Sequence, residues 1–220
     1  MLPTIPCRDF LHLVLPECQA CPDPVATYMI RLAGIEFSQI TKGWRHTGSQ
    51  VLASNNVTLI APDHTEIHTI EEATLNGQPL DPVAFLSADP EQMTGIAQTG
   101  QATEISQVEP GAVQINPFQA GTLRYSLTLK PTMARLLATF PNDPLRDAHD
   151  VLPAFMFSQH ATTIAAGALA LILMLPGEPF SDPAKATLKR SMFMQGCNSA
   201  HADARMGQQR APRRNTIHWL

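Results

Sequence analysis

One stretch constrains this chain more than any other. Ala161-Thr-Thr-Ile-Ala-Ala-Gly-Ala-Leu-Ala-Leu-Ile-Leu-Met-Leu175 is 15 residues without a charge, stopped by Pro176. A bilayer needs about 20 apolar residues. The run falls short, so it reads as a helix enclosed by the rest of the chain, and a membrane partner is not expected. Ala161, Ala165, Gly167 and Ala168 keep one stripe of it small, which lets neighbouring helices come close.

The neighbours are signalled by proline. Asp-Pro occurs at Asp23, Asp81, Asp89, Asp143 and Asp182, and Asp followed by Pro opens helices, because Pro at the first helical position loses no needed N–H. Three of the five precede helical periodicity. After Asp23, Val25, Tyr28, Met29, Leu32, Ile35, Phe37 and Ile40 predict a helix ending near Gly43. After Asp182, Leu188, Met192, Phe193, Cys197, Ala200 and Ala204 predict another, to about Gly207. The longest should run from Pro153 to Leu175, with a short one from Pro144 before it. Phe10 to Leu15 reads as a further short helix, stopped by Pro16.

The middle of the chain switches period. Val57, Leu59 and Ala61 alternate with polar residues, as do Leu123, Tyr125, Leu127 and Leu129. Asn76-Gly77 between Ala73-Thr-Leu75 and Gln78-Pro-Leu80 signals a type I′ hairpin. Val113 and Ile115 add a short strand after the turn Glu109-Pro-Gly111. The expected fold is therefore α+β: a helical bundle of three to four helices from residues 1–46 and 132–207, an inserted β-rich domain at 47–131, and an extended C-terminal arm at 208–220.

Charge is distributed as unevenly as structure. The net value of −4 hides 8 basic and 18 acidic residues before Pro183 and 7 basic residues against Asp203 after it. From His46 to Leu123 there is no Lys or Arg, against nine carboxylates: Asp63, Glu66, Glu71, Glu72, Asp81, Asp89, Glu91, Glu104 and Glu109. Such a region repels DNA, which excludes non-specific DNA binding through it. Charged residues make up 15%, against roughly 25% in an ordinary soluble domain. Much of the surface is thus expected to be covered by other protein. Two Tyr and two Trp argue against an aromatic-rich carbohydrate or single-strand binder.

Catalytic chemistry finds little support. Cys18-Gln-Ala-Cys21 has the spacing of a redox pair or half a zinc site. No second pair follows, and Pro16 and Pro22 bracket it in a turn, so packed thiols are the expectation. Four cysteines in 220 residues do not make a disulfide scaffold, which points to synthesis in a reducing cytoplasm. Leu11 to Leu15 is too short for a signal h-region. His64 and His68 flank Glu66, but alternate strand positions put the two histidines about 13 Å apart. There is no G-x-S-x-G, H-E-x-x-H or Walker loop. No catalytic residue, cofactor or metal is expected.

The order of segments in the last third carries a resemblance. Leu129-Lys-Pro131 is followed by Leu152-Pro153 and the apolar helix with Ile164-Ala-Ala-Gly167-Ala168. Then come Leu175-Pro-Gly-Glu-Pro-Phe180-Ser-Asp182-Pro183, Phe193, and Ala200 to Gly207. Ile30-Arg31-Leu-Ala33-Gly-Ile35-Glu36-Phe37 with Trp44, and the hairpin Leu75-Asn-Gly-Gln-Pro-Leu80, extend the likeness to nearly the whole chain. This order resembles the head-to-tail connector (adaptor) proteins of short-tailed bacteriophages. Phe180 departs from the Trp expected there, and residues 86–120 match nothing in the family pattern. The resemblance implies a structural virion protein at the head-tail junction, made in the host cytoplasm. It implies a homo-oligomeric ring, typically of twelve copies, that docks beneath the portal protein and joins it to the tail nozzle, with double-stranded DNA passing through.

Two regions then acquire expected roles. The basic C-terminal segment, with Arg205, Arg210, Arg213, Arg214, Ile217, Trp219 and Leu220, is expected to dock the portal. Clustered Arg also suits DNA phosphates, the competing role for this segment. Asp63, Glu66, Glu71, Glu72, Glu104 and Glu109 are expected to face the lumen or the tail, where like charge lets DNA slide. Two alternatives stand beside this reading: a neck or tail-completion protein of another phage type, and a cytosolic thiol or metal enzyme using Cys18 and Cys21.

Overall fold

The computed structural model describes residues 3–54, 56–83, 101–132 and 150–205. They form a mixed α+β structure. Strand β1 (Thr4–Pro6) leads through a 3-10 turn into α1 (Leu11–Val14), then α2 (Asp23–Thr41). The strands β2 (Arg45–Leu52), β3 (Asn56–Thr58), β4 (Thr65–Leu75), β5 (Gln78–Val83), β6 (Glu104–Glu109), β7 (Ala112–Asn116) and β8 (Gly121–Pro131) follow. Strand β9 (Val151–Pro153) opens α3 (Ala154–Leu173), and α4 (Pro183–Arg205) ends the described chain. The helix expected from Pro144 lies outside the described residues.

The apolar run becomes the centre of the helical layer. From Ile164 to Ala170 every residue of α3 is buried, between α2 and α4. By length and composition α3 could cross a membrane; here its apolar residues are spent on α2 and α4. At the crossing sits Gly167. A Cβ there would lie 2.6 Å from the Phe193 ring and 3.1 Å from Ala33, so only glycine lets the three helices meet. Gly196 does the same one side over, where a Cβ would come within 2.5 Å of Thr163. Near its start α3 bends at His160 (φ −131°, ψ 16°), whose ring lies 4.8 Å from that of Phe37.

The Asp-Pro signals divide. Asp182 caps α4, its Oδ1 accepting from the Lys185 N–H at 3.0 Å. Asp23 is instead the first residue of α2, with Pro22 in the capping position. Asp81-Pro82 lies inside β5, so that pair opens no helix. Near the N-terminus the helical turns do not stop at Pro16; a second 3-10 turn covers Leu15–Glu17, with Pro where it needs no N–H.

The seven strands β2 to β8 form one sheet in the order β2-β8-β4-β5-β6-β7-β3, antiparallel except for the parallel β5–β6 pair. It curls until its ends nearly meet, and the Gln50 side chain of β2 donates to the Thr58 carbonyl of β3 at 3.1 Å. Two register shifts of β4 against β8, between Ile67 and Thr69 and between Ile70 and Glu72, add the curvature such closure needs. Leu123, Tyr125, Leu127 and Leu129 point inward as their alternation predicts, meeting Ile67, Ala73, Leu75, Ile105, Val113 and Ile115. Asn76 (φ 51°) and Gly77 (φ 85°) make the hairpin turn between β4 and β5, both in the left-handed region that a type I′ turn requires. This turn marks the far tip of the β4–β5 hairpin.

The sheet meets the helices through α2, which packs on β8. Arg31 of α2, 1% exposed, locks this joint. Its Nε and Nη2 donate to the Thr132 carbonyl just past β8, and its Nη1 donates to the Val151 carbonyl of β9 at 3.0 Å. Asp150 stands 3.9 Å away. Replacing Arg31 by Met leaves two buried carbonyls without donors and should cost about 3–5 kcal/mol. A urea midpoint within error of the native one would show that the joint does not depend on this guanidinium.

Candidate interaction surfaces

Two of the six carboxylates expected to face a lumen are engaged within the chain. Glu66 pairs with Lys130 across β4 and β8 at 3.3 Å and accepts from the Thr132 hydroxyl at 2.6 Å. Glu71 forms a two-point pair with Arg45, Nε to Oε2 at 2.6 Å and Nη2 to Oε1 at 3.1 Å. The cause is register: Lys130 and Arg45 lie just beyond the base-free segment, and strand pairing folds them back over its acids. Asp63, Glu72 and Glu109 are exposed, and Glu104 is half-buried with Asn116 at 3.4 Å. Asp81 and Glu104 are direct partners in the β5–β6 ladder, a like-charge juxtaposition beside which the Asn116 amide donates to Glu104.

Arg45 also reaches the helices. Its Nη1 donates to the Ala204 carbonyl at 2.9 Å, satisfying one of the acceptors left open at the end of α4. His201 adds a second tie, its Nδ1 3.0 Å from the Thr41 carbonyl at the end of α2. Arg205, the last residue of α4, thus departs from a clamped point beside the sheet's base. Of the expected docking residues, Arg205 is exposed there. Arg210, Arg213, Arg214, Ile217, Trp219 and Leu220 lie outside the described residues, as do Asp89 and Glu91 of the acidic segment. Arg45 was not singled out by sequence reasoning; its position bordering the base-free run was the signal available.

The outer face of β2, β8 and β4 forms an open groove of about 470 Å³, lined by Thr47, Ser49, Glu72, Thr74, Arg124 and Ser126. Its side chains are short hydroxyls around one guanidinium and one carboxylate. Its lining includes no histidine or thiol.

The thiols are packed. Cys18 and Cys21 are buried in the turn before α2, the Cys21 N–H donating to the Cys18 carbonyl at 3.0 Å. Burial, with Cys18, Asp23 and Glu178 adding to it, pushes the Cys21 thiol up to about 11. Burial also raises Cys18, and it pushes Cys197 up to about 12, with Glu36 adding. A reactive or metal-binding thiol needs the opposite shift. Among the described residues, no three His, Cys, Asp or Glu side chains converge as metal ligands do.

These thiols carry a proton in the folded state over a range where the unfolded chain, with the ordinary value of 9.0, has lost it. Stability should therefore be unaffected by them below pH 9 and fall as pH rises from 9 towards 12. Urea midpoints measured across that window check this; a Cys21→Ala, Cys197→Ala variant should show a shallower decline than the native chain.

No protein-family model matches the chain, and no curated protein matches it.

Proposed function

We propose that this protein is a head-to-tail connector of a short-tailed bacteriophage, a ring component that seats beneath the portal and offers the tail nozzle its docking surface. In this reading α2, α3 and α4 are the connector's helical bundle and the curled sheet is the domain inserted in it. The observation that carries the reading is the clamped root of the basic arm: Arg45 and His201 hold the end of α4 at a defined point, so the segment beyond it starts from a rigid base. A segment rich in Arg and ending in Ile217, Trp219 and Leu220 has the residue types that dominate protein interfaces. Presenting it from a fixed root lowers the ordering cost of docking. The order of sequence segments shared with connector proteins supports the same conclusion, as does the shortage of surface charge.

The test is binding to purified portal rings, with complex mass read by light scattering. The native chain should form a stoichiometric complex, and Trp219→Ala should weaken it by about 30-fold, the effect of losing one interface hot spot. Deletion of 206–220 should abolish it. Undiminished binding of the deletion variant would overturn portal docking by the arm.

Asp63, Glu72 and Glu109 remain exposed once Glu66 and Glu71 are paired, and they supply the like charge that keeps DNA from adhering as it passes. Converting the three to Lys should slow DNA ejection from assembled particles, most strongly at low salt. Native ejection rates from such particles would rule out contact between this surface and DNA.

A further inference from the structure

The curled sheet has a seam. Its end strands are β2 and β3, and among the described residues no backbone hydrogen bond joins them. Leu52 ends one and Asn56 begins the other, so a regular hairpin would pair Gln50 with Thr58 through the backbone. The Gln50 side chain reaches the Thr58 carbonyl instead. The edge of β2 is therefore open. The Leu129 N–H donates to the Trp44 carbonyl at 2.8 Å, which sets the phase of the β2–β8 ladder. His46, Gly48 and Gln50 bond to β8, and Thr47, Ser49 and Val51 turn their backbone groups to the seam. Val51 on one side is 75% exposed, and Ile60, two residues past Thr58 on the other, is 69% exposed. An unpaired edge with apolar side chains beside it is a template for an added strand.

One segment of the chain is rooted at this edge. Arg45, the first residue of β2, donates to the Ala204 carbonyl at 2.9 Å, so residues 206–220 leave the described chain where the open edge begins. Fully extended they reach about 50 Å, roughly twice the length of β2. Arg210, Arg213 and Arg214 are accompanied by no Asp or Glu in this segment. The seam has exposed acids on both sides: Glu72 shares a cross-strand row with Thr47 through Ser126, and Asp63 lies three residues beyond Ile60. Past Pro212, Asn215-Thr-Ile-His-Trp-Leu220 keeps every backbone N–H, and strand spacing would set Ile217 and Trp219 on one face.

We propose that the open edge of β2 is the seat of this chain's own 206–220 segment, which adds to the sheet as an outer strand with Ile217 and Trp219 against Val51 and Ile60. The docked segment satisfies the edge's backbone groups and shields them from pairing with other chains. This contact does not depend on the connector reading; where that reading holds, the edge stores the arm until a portal takes it.

The test compares the full chain with a 206–220 deletion, with no portal present, so a failure of portal binding and a failure of this contact are separate results. Hydrogen exchange is read at the Thr47, Ser49 and Val51 amides. They should exchange about tenfold more slowly in the full chain, the protection given by a segment docked roughly nine-tenths of the time. Trp219→Lys should return them to the rates of the deletion variant, while His46 and Gly48, already bonded to β8, stay unchanged throughout. Equal rates in the full chain and the deletion variant would overturn the proposal, as would an equal change at His46 and Gly48. A Ser49→Cys, His218→Cys variant oxidised with diamide identifies the chain that supplies the segment; the four native thiols are buried and stay out of the reaction. A disulfide within one chain is expected. Linkage found only between chains, or no linkage, would overturn the assignment of this edge to the chain's own segment.

Discussion

A single buried guanidinium holds the two halves of this structure in register. Arg31 is buried on α2, and a buried charge is costly unless every donor finds an acceptor. It finds them at Thr132, where the chain leaves the sheet, and at Val151, where it returns towards α3. The sheet's last strand, the re-entry strand and the first long helix are thereby referred to one point. Asp150 beside it balances part of the charge and, with burial, pushes the neighbouring Cys7 thiol up. The last described turn of α4 is held separately, by Arg45 and by His201.

Around that joint, charge is used to bind elements within the chain. Arg45 bridges Glu71 and the last turn of α4, Arg190 bridges α4 and α2, and Lys185 and Lys189 share Glu17. Partly exposed pairs of this kind contribute little stability individually, at most about 1 kcal/mol. Their structural effect is larger than their energy, because each ties one element of the fold to another. The low charged fraction of the sequence thus has a spatial meaning at α3, which carries no charged residue from Ala154 to Leu173.

Much of the fold was legible. The three long helices start, and α2 and α3 end, within two residues of their expected limits, because their period, proline starts and apolar content agree. The alternation of Leu123 to Leu129 identified β8, and Asn76-Gly77 the β4–β5 hairpin. Strand β6 was missed because Glu104-Ile-Ser-Gln-Val-Glu109 has two apolar residues and gains its extended form from β7 and the parallel β5. Strands β1 and β9 are three residues each and contain prolines, so they have no period to read. Of the candidate surfaces, the acidic segment was legible as composition, but the pairing of Glu66 and Glu71 was not. It needs β4, β8 and β2 to be placed side by side.

The sequence by itself determined the class of structure and its separation of charge. An uncharged apolar run called for enclosing helices, which α3 finds in α2 and α4, and a base-free segment with period two called for an acidic sheet. Those follow from local periodicity and composition, which act over a few residues. Tertiary structure alone decided that the sheet curls almost to closure, that Gly167 is where three helices touch, which acids are neutralised, and where the last described turn of α4 is held. Each of these rests on residues far apart in the chain, Arg31 with Thr132 and Arg45 with Ala204 among them. Such pairs leave no periodic trace, because their contact is set by how whole elements pack and not by the spacing of their neighbours.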